Sequence, residues 1–189
     1  MAPSKATGFL TAHRRQKQIE DCLYTNLLQR PYTSVSVSDL CHQLEISRKS
    51  FYNYFPDKDT CFRSLISRKI RQCSLAIAAG KPENATQDDV ITIFLNYWKQ
   101  ERAFLDILVR NGLLVMLIDQ CIHFLREEDK LVLEYLNTPQ LKTDEYVMAC
   151  YVNVQITMIL QWHKGNYEIS VEEMVRKYKR LIYEPLLSL

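Results

Sequence analysis

Glycine is scarce in this 189-residue chain, at four residues, and proline stops at six. A β-rich fold spends both at its turns, so their shortage favours helices. The six cysteines (22, 41, 61, 73, 121 and 150) include no Cys-x-x-Cys pair, and several fall on apolar helical faces, where a thiol acts as a small hydrophobe. No signal peptide is visible, so a reducing cytoplasm is the expected location. Apolar runs such as Leu113–Ile118 fall far short of the ~20 residues that cross a bilayer, and no membrane association is expected. Enzyme signatures are missing too. There is no Gly-rich phosphate loop, no Gly-x-Ser-x-Gly, no His-Glu-x-x-His and no metal-spaced Cys/His cluster, and the four histidines (13, 42, 123, 163) are far apart. The acidic run Glu127-Glu128-Asp129 reads as a solvated helix end. No catalytic residue, metal or cofactor is expected, and the chain reads as a non-enzyme.

What is present is a charge asymmetry and one dense motif. Residues 1–81 carry 13 Lys/Arg against 6 Asp/Glu; residues 82–189 carry 11 against 16. A basic front on an acidic back suits an anion-binding head on a body that avoids the anion. Within the front, Val37, Leu40, Cys41 and Leu44 fall at i, i+3, i+4 and i+7, one face of a helix. Ser36 caps that helix, with Asp39 three residues on in a capping-box arrangement. Ile46 is the apolar residue of a tight corner. Ser47 then caps a second helix whose inward residues are Phe51, Tyr54 and Phe55. Its outward residues Arg48, Lys49, Ser50, Tyr52 and Asn53 include no carboxylate. This is the pattern of a helix-turn-helix presenting a recognition helix to double-stranded DNA. Arg48 and Lys49 stand where base edges would lie, and Arg can pair bidentately with guanine.

The same residues carry a resemblance. Ser36-Val-Ser-Asp-Leu-Cys, followed by Ile46-Ser-Arg-Lys-Ser-Phe-Tyr-Asn-Tyr-Phe-Pro-Asp-Lys58, is similar to the DNA-binding signature of the tetracycline-repressor (TetR) family, Thr-Val-x-Asp-Ile-Ala and Val-Ser-x-Gly-Thr-Phe-Tyr-x-Tyr-Phe-x-x-Lys. Two departures stand out: Glu45 occupies the corner usually given to Gly, and Lys49 replaces a small residue. The resemblance implies an all-α fold of about nine helices, with a three-helix head over residues 1–60 and an effector-binding and dimerisation body over 61–189. It implies phosphate contacts for Ser36, Ser38, Tyr54 and Lys58, beside the outward face already named.

The other elements follow in order. Residues 1–12 lack periodicity and are expected to form a mobile tail. His13, Arg14, Arg15 and Lys17 open a helix with Ile19, Leu23 and Leu27 on one side, ended by Pro31; this basic start either reaches DNA or is merely solvated. A long helix 4 carries Phe62, Leu65, Ile66, Ile70, Cys73 and Ile77 and closes at Gly80, linking head to body. Helices 5, 6 and 7 follow, with a pause expected at Arg126–Lys130, an apolar stretch at Leu131–Leu136 and a loop at Thr138-Pro139. Helix 8, about Asp144 to Trp162, is apolar on more than one side. Helix 9, capped by Ser170, bears a stripe through Val171, Met174, Val175 and Tyr178.

In the family, helices 8 and 9 form a four-helix bundle across a two-fold axis, so the resemblance implies a homodimer here. Tyr151, Met158, Met174 and Tyr178 are candidates for that interface, or else monomer core. Phe94, Trp98, Phe104, Met116, Gln120, Tyr151 and Gln155 have the side-chain types that line a pocket for a small apolar or aromatic effector, or else form ordinary helical core. The expected function is a TetR-type transcriptional repressor released from a palindromic operator by such an effector. The alternative is a coactivator or scaffold of the same fold whose body binds a protein partner.

Overall fold

The basic front forms three short helical elements packed on a longer helix. In a computed structural model describing residues 5–127 and 143–183, helix α1 spans Lys5–Gln29, a 3-10 turn Tyr32–Ser34, α2 Val37–Gln43 and α3 Arg48–Tyr52. Ile19, Leu23 and Leu27 recur every four residues along α1 and are wholly buried. Burial of each side chain contributes about 1.5–3 kcal/mol. They close on Val35, Leu40, Phe51 and Phe55 from the elements that follow. The expected tail is shorter than twelve residues, because α1 already begins at Lys5. An apolar stripe starts only near Ile19, but a formed helix extends at little cost through residues such as Ala6 and Ala12.

Caps define α2 and α3. The Ser36 hydroxyl accepts the Asp39 N–H at 3.1 Å while the Asp39 carboxylate accepts the Ser36 N–H at 2.8 Å, a complete capping box. The Ser36 N–H and the Ser36 hydroxyl, both donating to it, hold the Asp39 carboxyl below its ordinary range. Ser47 caps α3 by accepting the Ser50 N–H. Between the two helices the chain reverses with the Ile46 N–H on Cys41 O at 3.0 Å and Glu45 in the left-handed region at φ 51°. A left-handed residue followed by an apolar one is the usual helix-ending motif, and explains why Gly suits the corner. Glu45 pays a conformational cost of roughly 1–2 kcal/mol there.

The body surrounds helix α4, Lys58–Gly80, which starts in the head, capped by Asp57, and runs on between body helices. Its Cys61, Phe62, Leu65, Ile66, Ile70, Cys73 and Ile77 are all buried. It packs against α1, against α5 (Gln87–Gln100) and against α7 (Leu114–Glu127). Helix α6 (Arg102–Arg110) turns back onto α1, and α8 (Glu145–Lys164) lies on α5, α6 and α7. The last described helix, α9 (Val171–Tyr183), packs on α5. All regular elements among the described residues are helical, as the shortage of turn residues implies. The apolar stretch Leu131–Leu136 and the loop at Thr138-Pro139 fall outside the described residues, as does most of the pause at Arg126–Lys130.

Candidate nucleic-acid interface and body cavity

Two sites emerge, one in each part of the chain. In the head, Ser36, Ser38, Arg48, Lys49, Tyr52 and Asn53 are exposed, while Ser50 and Tyr54 are half-buried. Phe51 anchors this face from beneath, fully buried, with Tyr52 edge-on to it at 5.6 Å and Phe55 behind at 5.9 Å. Tyr52 remains 47% exposed although its neighbour is sealed, so its ring is available to a partner. Tyr54 packs against the core with part of its surface open. The Ser36 hydroxyl is engaged in the capping box, donating to the Asp39 carboxylate at 2.9 Å.

Lys58 is placed differently from the rest. Its ammonium donates to Tyr32 O and Val35 O, each at 2.7 Å, and stands 4.0 Å from the Tyr32 ring centre. Burial pushes its pKa down. Two of its three N–H groups therefore tie α4 to the turn before α2, a role that a solvated phosphate anchor would not have. A lysine at a helix start beside main-chain carbonyls can serve the fold as well as a ligand.

That turn is also where the head meets the body. The Tyr32 N–H donates to the Asn111 side-chain oxygen at 2.7 Å, Asn111 returns its amide to Ile107 O, and Arg110 donates to Leu27 O. Tyr32 donates its hydroxyl to Asp59, and burial with that neighbouring charge drives the phenol's pKa far upward. Deeper in the junction, Arg68 of α4 bridges Glu20 and Asp21 of α1. Nε and the Glu20 Oε2, both shielded from solvent, lie 2.6 Å apart and attract as charges rather than along an aligned hydrogen bond. Ser64 donates to the other Glu20 oxygen at 2.6 Å. Lys69 pairs with Glu101 at 2.8 Å, joining α4 to the α5–α6 corner.

In the body, α4, α5, α7 and α8 enclose an apolar cavity of about 100 Å³, to which α6 adds Leu105 and α9 adds Tyr178. Four of the seven expected pocket residues meet there: Phe94, Trp98, Tyr151 and Gln155. Three do not. Phe104 is wholly buried at the junction, its ring 6.2 Å from both Tyr24 and Phe62. Gln120 accepts a hydrogen bond from Ser67 of α4, and Met116 lies half-buried near the start of α7, away from the lining. Side-chain type names the candidates, but helix phase decides which way each points. The lining that was missed comes in equal parts from α4 (Ile70, Cys73, Ser74 and Ile77), α7 and α8, with fewer residues from α5, α6 and α9. The available signal was Ser74, a hydroxyl set within an otherwise apolar stripe.

The four interface candidates also divide. Met174 and Tyr178 are 5% and 3% exposed, buried within the monomer as α9 packs on α5. Tyr151 lines the cavity, its hydroxyl 3.1 Å from that of Tyr178. Met158 is half-buried beside Trp162 and Met174. An amphipathic stripe states that a face is covered, without stating by which neighbour. The exposed stripe of α8 is instead Tyr146, Cys150, Asn153, Thr157 and Gln161, all uncharged, with Tyr146 77% exposed.

Four of the six thiols are quiet. Burial raises the pKa of Cys22, Cys41 and Cys61, and that of Cys121 to about 12, so these groups stay protonated at neutral pH. No group of His, Cys, Asp or Glu that could hold a metal occurs among the described residues, and none of the described helices is long and apolar enough to cross a membrane.

Comparison with known proteins agrees with this geometry. Residues 26–65, from the end of α1 through the start of α4, match the family model of bacterial regulatory proteins, tetR family. The chain is 42% identical over 85 residues to the HTH-type transcriptional regulator EthR of Mycobacterium tuberculosis, and equally to EthR of Mycobacterium bovis. Each match covers 41% of this chain and 39% of the relative, so the chain spans about two fifths of the length of the curated relatives it matches. Among solved structures, the fatty acid degradation regulator FadR from Bacillus halodurans superposes with a TM-score of 0.61, covering 91% of this chain and 96% of that one at 17% identity, a likeness of fold. The helix-turn-helix head thus matches the tetR family of bacterial regulatory proteins over residues 26–65, and the chain as a whole shares its helical fold with a solved regulator.

Proposed function

We propose that this protein is a transcriptional repressor that binds a palindromic operator as a homodimer and is released by a small effector held in the body. The observation that carries the reading is the exposed set Arg48, Lys49, Tyr52 and Asn53 on a capped helix whose inner face, Phe51, is sealed. Arg48 and Lys49 would read base edges, Tyr52 and Asn53 would extend that readout, and Ser36, Ser38, Ser50 and Tyr54 would meet phosphates. Lys58 would support this face from behind and has one further N–H for a phosphate. Residues 1–60 would then be the DNA-binding part and 61–189 the sensing and dimerising part, working in the cytoplasm.

One head covers one half-site, and specific recognition needs two heads spaced by a helical turn, ~34–36 Å, or a multiple of it. The dimer would form through α8 and α9, with the uncharged stripe of α8 at its centre. Release would be a population shift. A ligand in the cavity presses on α4 and on Leu105 of α6, and both helices touch the head, through Lys58 and through Asn111. A change in their placement alters head separation, and the two half-sites no longer match together.

The test is binding of the full-length protein to DNA from upstream of its own gene, followed by fluorescence anisotropy at several salt concentrations. A sequence-specific complex whose affinity falls steeply with salt is expected. Binding that is equal for scrambled DNA, or absent, would return the body to the scaffold reading.

A further inference from the structure

We propose that the effector is an uncharged, slender apolar molecule carrying one neutral group that both donates and accepts hydrogen bonds, such as a primary amide or an alcohol, with Gln155 and Ser74 as its polar partners. The proposal rests on the reading of the cavity as the effector site and narrows what that site accepts.

Among the described residues, none of the side chains lining the cavity is charged. An ionised carboxylate or phosphate entering it would lose its water and gain no counter-charge from the described lining, a large cost even after relaxation. The cavity's own chemistry reports the same environment, since burial lifts the Cys121 thiol to about 12 against an ordinary value near 9.0. The lining is therefore hostile to charge, and a charged end would have to remain outside it.

The polar groups that are present point to the ligand's one polar atom set. The Gln155 amide and the Ser74 hydroxyl face the cavity without a hydrogen-bond partner among the described residues. A bound group that both accepts from and donates to the Gln155 amide would engage its two hydrogen-bonding atoms at once. Gln155 stands on α8 and Ser74 on α4, so one ligand group meeting both would bridge the body's scaffold to the helix that begins in the head. At about 100 Å³ the cavity lies below the usual range of ligand pockets, roughly 300–1,000 Å³, which favours a narrow alkyl chain over a fused ring system.

The experiment compares octanamide with sodium octanoate, equal in chain length and different in charge, on the full-length protein at about pH 8, where the acid is ionised. Thermal unfolding and tryptophan emission are recorded, with Trp98→Phe as the control that assigns the emission change to the cavity. Octanamide is expected to raise the unfolding temperature and shift the emission, with octanoate weaker by about a hundredfold or more. Gln155→Leu should weaken octanamide about tenfold while the unliganded protein unfolds at an unchanged temperature. Octanoate binding as tightly as octanamide, with the same Trp98 response, overturns the neutral-ligand proposal and leaves the effector site standing. Equal binding of octanamide to the wild type and to Gln155→Leu overturns the assigned polar partner. If neither compound moves either signal, the proposal and the effector reading fall together.

Discussion

In the head, Phe51 and Phe55 lie 5.9 Å apart at 0% and 2% exposure, and the polar ends of the short helices above them are closed by Ser36, Asp39 and Ser47. In the body, Phe94 and Trp98 border an apolar void of about 100 Å³ that the Gln155 side chain also lines. The first arrangement leaves one packing, because every displacement opens a gap or uncaps a helix. The second holds space that a second packing, or a guest, can use. A part that must match a fixed DNA groove gains from the first kind of construction, and a part that must change with conditions needs the second.

The largest test of this contrast is the cost of deleting an aromatic ring in each part. Phe51→Ala should destabilise the protein by about 3–5 kcal/mol, since no neighbour can collapse into the space without uncapping α3. Phe94→Ala, half-buried and already facing the void, should cost under about 2 kcal/mol. Denaturant unfolding followed by circular dichroism measures both. Equal costs would mean that the body is packed as tightly as the head and that the void has no energetic reality.

A second test asks whether the rigid head reads sequence. Arg48→Ala should cut discrimination at one base position by about 1–3 kcal/mol while leaving non-specific binding near its original level. Lys58→Met should act in another way, lowering the stability of the head through the lost bonds to Tyr32 O and Val35 O before any effect on DNA is counted. Anisotropy titrations against single-base operator variants, paired with unfolding curves, separate the two. A variant of Arg48 that weakens every sequence equally would make it a phosphate contact.

A third and smaller effect concerns the joint. Asn111→Ala leaves the Tyr32 N–H without its acceptor, at a cost of about 1–2 kcal/mol. If the α6 corner carries the signal, the same change should shrink the ratio of operator affinities measured with and without octanamide, while binding of octanamide itself stays as it was. An unaltered ratio would leave α4 as the route.

The two parts also differ in how plainly the sequence declares them. The Ser36–Asp39 box and the i, i+3, i+4 spacing of Val37, Leu40 and Cys41 are local, so residues a few positions apart already state the geometry. The cavity is not local. Ser74, Leu105, Cys121 and Gln155 come from four helices, and their convergence depends on interhelical placement that no short window contains. Phe104, Met116 and Gln120 have suitable chemistry and the wrong phase. Met174 and Tyr178 sit on a regular stripe that α5 covers within the monomer. Lys58 looked free because its acceptors, the Tyr32 and Val35 carbonyls, are main-chain groups more than twenty residues earlier.

The smallest expected effect lies at the corner of the helix-turn-helix. Glu45 holds φ 51°, where a β-carbon is penalised, while its backbone closes the turn normally through His42 O. Glu45→Gly relieves about 1–2 kcal/mol of strain and gives back roughly 0.5–1 kcal/mol in unfolded-state entropy, leaving a net gain of about 0.5–1 kcal/mol. The denaturation midpoint should rise with an unchanged slope, and Glu45→Ala should not reproduce it, because Ala keeps the β-carbon. Operator affinity supplies the sharper reading. If the rigid head must present Arg48 at one fixed angle, the glycine variant will be more stable and bind DNA no better, since relief of strain adds freedom at the hinge between α2 and α3. A glycine variant that is both more stable and tighter on DNA would mean that the strained corner holds α3 slightly away from its best approach to the groove.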